Sequence, residues 1–348
     1  MSLPKTFKRA VFLGKGEGLV VQDSPLELPG DNEVLVKVEA CGVCYSDYYG
    51  QYNVLGGGFP ICPGHEIIGR VAAVGRGVKS WKIGDRVGGG WHGGHDETCN
   101  ACNEGWYQMC DNQVINGVTK NGGSLANALV CSDAEYCILR AEATVRVPDH
   151  VDAAKYAPIL CAGVSVFNSI RNMNVPVGET VVIQGLGGLG HLGIQYAAHM
   201  GYRVVAVSRG ADKEKFAREL GAHEYIDASK ERDVGEALKA LGGARLVVAT
   251  APTADSITPY LKGLGILGKL LLLSIPGDLT IDTVTMLKHG SSVQVWPSGH
   301  QKDSEDAIKF TELKGIDCMI ETFALDQAQE AWDTMKNGTV RFRAVIVP

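Results

Sequence analysis

No run in the sequence is apolar for long enough to cross a bilayer. The most apolar stretch, Leu264 to Ile275, is broken by Gly265, Gly268 and Lys269, whereas a spanning helix needs about 20 consecutive apolar residues. The segment Met1 to Arg9 lacks the apolar core of a secretory signal. There is no basic tract and no RNA-binding signature, and the formal net charge is −6, so nucleic acid is not an expected partner. There is also no internal repeat, which sets aside solenoid and propeller folds. These absences predict a cytoplasmic protein with no membrane partner. In such a reducing compartment, ten cysteines do not read as a disulfide framework. Metal ligation, catalysis and burial remain.

Glycine supplies 44 of 348 residues, about twice its ordinary share, and 45% of the chain is apolar. That apolar content excludes disordered and collagen-like chains, and the length predicts two domains. Up to about residue 160 the chain reads as strands and glycine-rich loops, with Val34–Val38 and Val71–Val74 as candidate strands. Nearly all the cysteines fall there. After about residue 165, short continuous apolar runs alternate with helical stretches: Val181–Gln184, Arg203–Val207, Leu246–Ala249 and Leu270–Leu273. This alternation predicts an α/β fold with a parallel sheet covered on both faces. An amphipathic helix is expected at Ala328–Lys336. A final strand, Ala344–Val347, is expected to return to the first domain.

Gly185-Leu186-Gly187-Gly188-Leu189-Gly190 follows the strand 181–184 and opens a helix. It fits G-x-G-x-x-G in the context that motif requires. Its glycines allow a tight turn and close approach to a pyrophosphate, and the helix N-terminus favours the anion. The next strand ends Val207-Ser208-Arg209-Gly210-Ala211-Asp212-Lys213. An NAD enzyme would carry an acid at that strand end to bind the ribose hydroxyls. The acid is missing. Ser208 and Arg209, with Lys213 nearby, suit a 2′-phosphate instead, so NADP(H) is expected over NAD(H).

Gly64-His65-Glu66-Ile67-Ile68-Gly69, continuing to Gly75 and Val78, matches G-H-E-x-x-G-x5-G-x-x-V at each fixed position. With Cys41-Gly42-Val43-Cys44-Tyr45-Ser46-Asp47 and Pro158 to Gly163, the chain resembles the medium-chain zinc-containing alcohol dehydrogenases of the microbial alcohol dehydrogenase and aldehyde reductase type. The resemblance runs over nearly its whole length. It implies an irregular, β-rich GroES-like catalytic domain (1–162 and 297–348) and a doubly wound Rossmann domain (163–296). It implies Cys44, His65 and Cys161 as catalytic zinc ligands, a set known for alcohol dehydrogenase. Glu66 is implied as a carboxylate near the metal, and Asp47 as the residue that orients the histidine. Cys41 is read as packing.

The same resemblance implies a structural zinc bound by C-x2-C-x2-C-x7-C. Counting back from Cys110 gives Cys102, Cys99 and Asp96, so one carboxylate replaces a thiolate. Zinc accepts carboxylate oxygen, and His95 and Glu97 are neighbouring competitors. Two zinc ions per subunit follow.

The implied reaction is reversible alcohol oxidation to an aldehyde or ketone, with zinc as Lewis acid. Ser46 stands where the family has its proton-relay hydroxyl. Tyr49 replaces the distal relay histidine, so the relay beyond Ser46 departs from the family pattern. Arg343, with Arg341 close by, aligns with an arginine that contacts the pyrophosphate. Trp91 falls at a wall of the alcohol pocket, and Tyr52 and Trp296 are further wall candidates. Ser124 to Asp133 reads as an inserted loop. A homodimer or homotetramer is expected. The competing readings are a zinc-free quinone or enone reductase on the same fold and a non-catalytic nucleotide-binding protein.

Overall fold

The computed structural model describes residues 3–56, 58–118 and 133–348. Two compact units divide the chain. One draws on residues up to 161 together with 299–313 and 317–348; the other comprises 162–298 and 314–316. The inserted loop expected at Ser124 to Asp133 lies outside the described residues except for Asp133.

The second unit holds a six-stranded sheet in which every pairing is parallel. Its order is Glu224–Asp227, Arg203–Ser208, Thr180–Gln184, Ala244–Ala249, Leu264–Leu272 and Ser292–Val295. Numbered along the chain this is 3-2-1-4-5-6, the doubly wound order. The central strands are continuous runs of Val, Ile, Leu and Ala because both faces are covered. Val182, Val205, Val247 and Leu270 are all fully buried. Two of the helices that follow are fixed at their starts by side chains. Asp233 accepts from the Gly235 and Glu236 amides at the helix Val234–Ala240, and Asp282 caps Thr283–His289 in the same way.

The first unit is built on a mixed sheet. Its order is Ile320–Ala324, Arg343–Val347, Glu33–Val43, Ile67–Val74, Arg86–Gly89 and Val145–Arg146, with Tyr136–Arg140 also paired to Glu33–Val43. The C-terminal strand therefore does return to the first unit, antiparallel to Glu33–Val43. The helix Ala328–Lys336 packs beneath it through Ala328, Ala331 and Trp332, spaced i, i+3, i+4. Trp332 is 2% exposed, and its ring meets Phe12 edge-on at 5.7 Å. No helix among the described residues is long and apolar enough to cross a membrane.

Trp332→Ala removes the largest fully buried side chain of this cluster. It is expected to lower the unfolding free energy of the first unit by about 3–5 kcal/mol. Urea titration read by circular dichroism measures this. A loss below about 1 kcal/mol would show that the cluster does not carry the unit.

Candidate active site and metal centres

The strand Glu33–Val43 delivers Cys44 into a short 3-10 turn, Tyr45–Asp47. Asp47 in that turn is fully buried. Its Oδ2 accepts the Cys44 N–H at 2.9 Å, and its Oδ1 accepts the Gly64 N–H at 3.2 Å. The same Oδ1 lies 3.0 Å from His65 Nδ1. One carboxylate thus fixes the Cys44 backbone, the Gly64 backbone and the His65 ring. With Nδ1 turned to Asp47, His65 Nε2 is left buried on the side of the Cys44 thiol.

Cys161 enters from the far end of the unit, between the 3-10 turn Ala157–Leu160 and the helix Ala162–Asn172. Its Sγ is 3.9 Å from Cys44 Sγ. Donor atoms of Cys44, His65, Glu66 and Cys161 all lie within 4.8 Å of one another, and all four residues are buried. The Cys161 contact, ahead of other causes, holds Cys44 well below an ordinary thiol, and the same contact raises Cys161. Burial works against the imidazolium of His65, but Asp47 and Cys44 outweigh it and raise its pKa. Burial pushes Glu66 up to about 7 despite the opposing pull of Arg343.

Two sulfurs, a buried imidazole nitrogen and an unpartnered Glu66 Oε2 form a dry, electron-rich pocket. Such a set is costly to bury without a cation. Its N/S composition suits zinc.

Arg343, expected at the pyrophosphate, pairs within the protein with a carboxylate of the buried cluster. It is 4% exposed, and its Nη2 pairs with Glu66 Oε1. The physical reason is charge: Glu66 is wholly buried and needs a countercharge nearby. Arg341 is exposed and lies over the Phe342 ring.

Ser46 and Tyr49 are half-buried beside Cys44. Burial, then Cys44, raises the Tyr49 phenol. Trp91 meets His65 edge-on at 4.9 Å and Tyr49 at 6.2 Å. Tyr52 stacks on Tyr48 at 4.3 Å and reaches this array through it. Trp296 lies in the other unit, where its Nε1 donates to the Ser298 carbonyl. Asp133, the last residue of the expected inserted loop, is buried near Asp47 and Cys41. Burial raises its pKa well above the ordinary value.

The second cluster is Asp96, Cys99, Cys102 and Cys110, again with donor atoms within 4.8 Å of one another. Asp96 Oδ1 accepts the Thr98 and Cys99 amides at 2.8 and 3.1 Å, and its Oδ2 accepts Asn112 Nδ2 at 2.7 Å. These bonds, the Thr98 amide first, hold its carboxyl below the usual range. His95 is not in the cluster. It stacks on Tyr107 at 4.2 Å and bonds His92 at 3.3 Å. Asn112 is a partner that the ligand spacing alone does not reveal.

In the second unit, the loop Gly185 to Gly190 joins the strand Thr180–Gln184 to the helix Gly190–His199. Gly185 has φ 88°, and a Cβ on Gly190 would fall 1.9 Å from the Gly185 carbonyl oxygen. Only glycine permits this close return of the chain. Leu186 is buried, Gly187 is exposed, and Gly188 and Leu189 are partly exposed. Ser208 ends its strand half-buried, Arg209 is exposed and Lys213 is partly so. Register sets Asp227 of the next strand beside Ser208. The sequence reading did not place this acid, because Glu224–Asp227 is short and only Ile226 is buried in it.

The alcohol dehydrogenase GroES-like domain matches residues 30–149, and the zinc-binding dehydrogenase domain matches residues 188–313. The chain is 62% identical to the alcohol dehydrogenase notN of an Aspergillus species over 346 residues, 99% of each chain. Among solved structures it resembles a cinnamyl alcohol dehydrogenase of Sorghum bicolor, with TM-score 0.90 and 26% identity, covering 99% of this chain and 98% of that one. It also resembles CAD of Helicobacter pylori complexed with NADP(H), with TM-score 0.87 and 26% identity, covering 98% of each.

The two donor clusters give a stoichiometric expectation. Metal-free protein titrated with Zn(II) against a chromophoric chelator should take up about two equivalents. Asp96→Ala should lose about one of them and Cys44→Ser the other. Full uptake by both variants would show that neither cluster binds.

Proposed function

The chain belongs to the medium-chain zinc-type alcohol dehydrogenase family, and from that membership we propose a zinc-dependent, NADP(H)-preferring alcohol dehydrogenase acting as an aldehyde reductase. Its substrates would be an alcohol and the corresponding aldehyde or ketone. The observation that carries the zinc reading is the buried quartet of Cys44, His65, Glu66 and Cys161, whose donor atoms all lie within 4.8 Å of one another. Cys44, His65 and Cys161 would hold the metal, and Asp96, Cys99, Cys102 and Cys110 would hold a second, structural ion. When bound, zinc supplies Lewis acidity toward the substrate oxygen and the nicotinamide supplies the redox couple.

The chain's own residues supply the rest. Asp47 keeps the His65 ring turned so that Nε2 is the free donor. Arg343 neutralises Glu66. Ser46, two residues after Cys44 in the same turn, exchanges the hydroxyl proton of the substrate. Tyr49 lacks a basic nitrogen, and its raised phenol makes it an orienting group for water rather than a proton acceptor. Trp91 walls the site against the His65 side.

The NADP(H) preference rests on the missing acid at the end of Arg203–Ser208 and on exposed Arg209. The Helicobacter pylori neighbour complexed with NADP(H) supports it. For assembly, we propose pairing of the edge strand Ser292–Val295 with a second copy. Val284, Leu287 and Val295 near that edge are 75%, 84% and 62% exposed, more apolar surface than a solvated edge needs. A cytoplasmic location is proposed with it.

Steady-state rates with NADPH and NADH over an aldehyde panel test the function. NADPH is expected to be favoured, and a strong NADH preference would overturn the reading of Ser208 and Arg209. Ser46→Ala should lower kcat by at least about tenfold with metal content unchanged, and Tyr49→Phe should matter much less. Near-normal turnover in Ser46→Ala would remove Ser46 from the proton path. Leu287→Asp should shift the sedimentation coefficient toward that of the monomer; a wild type that already sediments as a monomer sinks the pairing.

A further inference from the structure

The turn that carries Arg209 is held by two side chains of the neighbouring strand. Glu224–Asp227 runs parallel to Arg203–Ser208, with Ala206 beside Tyr225 and Ser208 beside Asp227. Two residues apart on one strand, Tyr225 and Asp227 share a face of the sheet. Both reach the same glycine. The Tyr225 hydroxyl donates to the Gly210 carbonyl at 2.6 Å, and the Gly210 N–H donates to Asp227 Oδ1 at 2.9 Å. The Ala228 N–H donates to the Ser208 carbonyl at 2.9 Å. Gly210 has φ 95°, and a Cβ there would fall 2.4 Å from Asp212 Oδ1. The backbone on both sides of Arg209 is therefore fixed from the adjacent strand while the arginine side chain stays exposed.

Asp227 is already engaged. Its Oδ1 also accepts the Ser229 N–H at 3.0 Å and the Ser229 hydroxyl at 2.6 Å, and its Oδ2 lies 3.7 Å from Lys230 Nζ. Its Oδ1 is thus taken up by the turn, and its Oδ2 faces Lys230. Its charge is also partly offset toward a neighbouring phosphate.

We propose that Tyr225 and Asp227 are positioning residues for cofactor discrimination: they lock Gly210 so that Ser208 and Arg209 are preset for a 2′-phosphate. This rests on the NADP(H) reading above. A preset turn loses less conformational freedom on binding than a loose one, so removing the lock weakens the phosphate contact without touching it.

Adenosine 2′-monophosphate and adenosine 5′-monophosphate are the probes, with dissociation constants measured calorimetrically on the full chain. Tyr225→Phe removes one hydroxyl and keeps the ring. It should weaken the 2′-nucleotide about fivefold and the 5′-nucleotide less than about twofold. Asp227→Ala should show the same split, and Asp227→Asn, which keeps an acceptor for the Gly210 N–H, should restore most of the affinity. Equal losses for both nucleotides, or no loss in either Tyr225→Phe or Asp227→Ala, overturn the positioning role alone. Preferential loss of the 5′-nucleotide in Asp227→Asn makes Asp227 a ribose acceptor and also overturns it. A wild type that binds the 2′-nucleotide no better than the 5′-nucleotide overturns the NADP(H) reading, and the discrimination role falls with it.

Discussion

Asp47 shares its two oxygens among the Cys44 amide, the Gly64 amide and the His65 ring, in a place with no access to water. Each bond ties a different stretch of chain. Cys44 ends the long strand Glu33–Val43, whereas Gly64 and His65 lead into Ile67–Val74. Those two strands pair antiparallel, with Cys41 opposite Ile67. The sheet brings the two ligand segments to one end, and the carboxylate then sets their spacing. An apolar residue here would leave buried amides unpaired and the imidazole free to turn, so geometry and tautomer would be lost together.

The charge balance follows from that placement. Asp47, Glu66 and the Cys44 and Cys161 thiols converge in a dry region, and Arg343 is the nearby side chain that is always positive. One guanidinium answers Glu66. It does not answer the two thiols, whose sulfurs lie 3.9 Å apart. A divalent cation held between them would balance the set as they lose their protons, with His65 Nε2 as a further ligand. The pairing of Arg343 with Glu66 also explains why an arginine from the last strand is buried at all.

These features were not equally legible in the sequence. The glycine loop, the parallel strands and the G-H-E segment could be read directly because each depends on local spacing. The helix Ala328–Lys336 was legible for the same reason. The helix Gln301–Lys314 was not, since its buried face is Asp303, Ser304, Ala307, Ile308 and Thr311. Three of those five are polar, so the apolar period of a helix is faint. The Arg343–Glu66 pair joins residues 277 apart in sequence, and nothing local announces it. Tyr225 and Asp227 were hidden in another way: they act through backbone atoms of Gly210, and backbone contacts leave no motif. Motifs reveal groups that touch a ligand, while the groups that hold them still appear only with the fold.

The lobe at Asp96 shows the same division within one residue. Carboxylate is a harder and weaker donor toward zinc than thiolate, so replacing a cysteine there would by itself loosen the site. Asp96, however, also shapes its own loop. Asp96 takes the Thr98 and Cys99 amides on one oxygen and the Asn112 side chain on the other, closing the turn that leads into Cys99 and Cys102. The loop is thus shaped before any ion arrives, and less freedom is lost on binding. On the zinc reading, the better ordered loop would offset the weaker donor. The lobe therefore need not be degenerate for want of a fourth cysteine, because on the zinc reading Asp96 would serve both as a ligand and as the group that closes the turn.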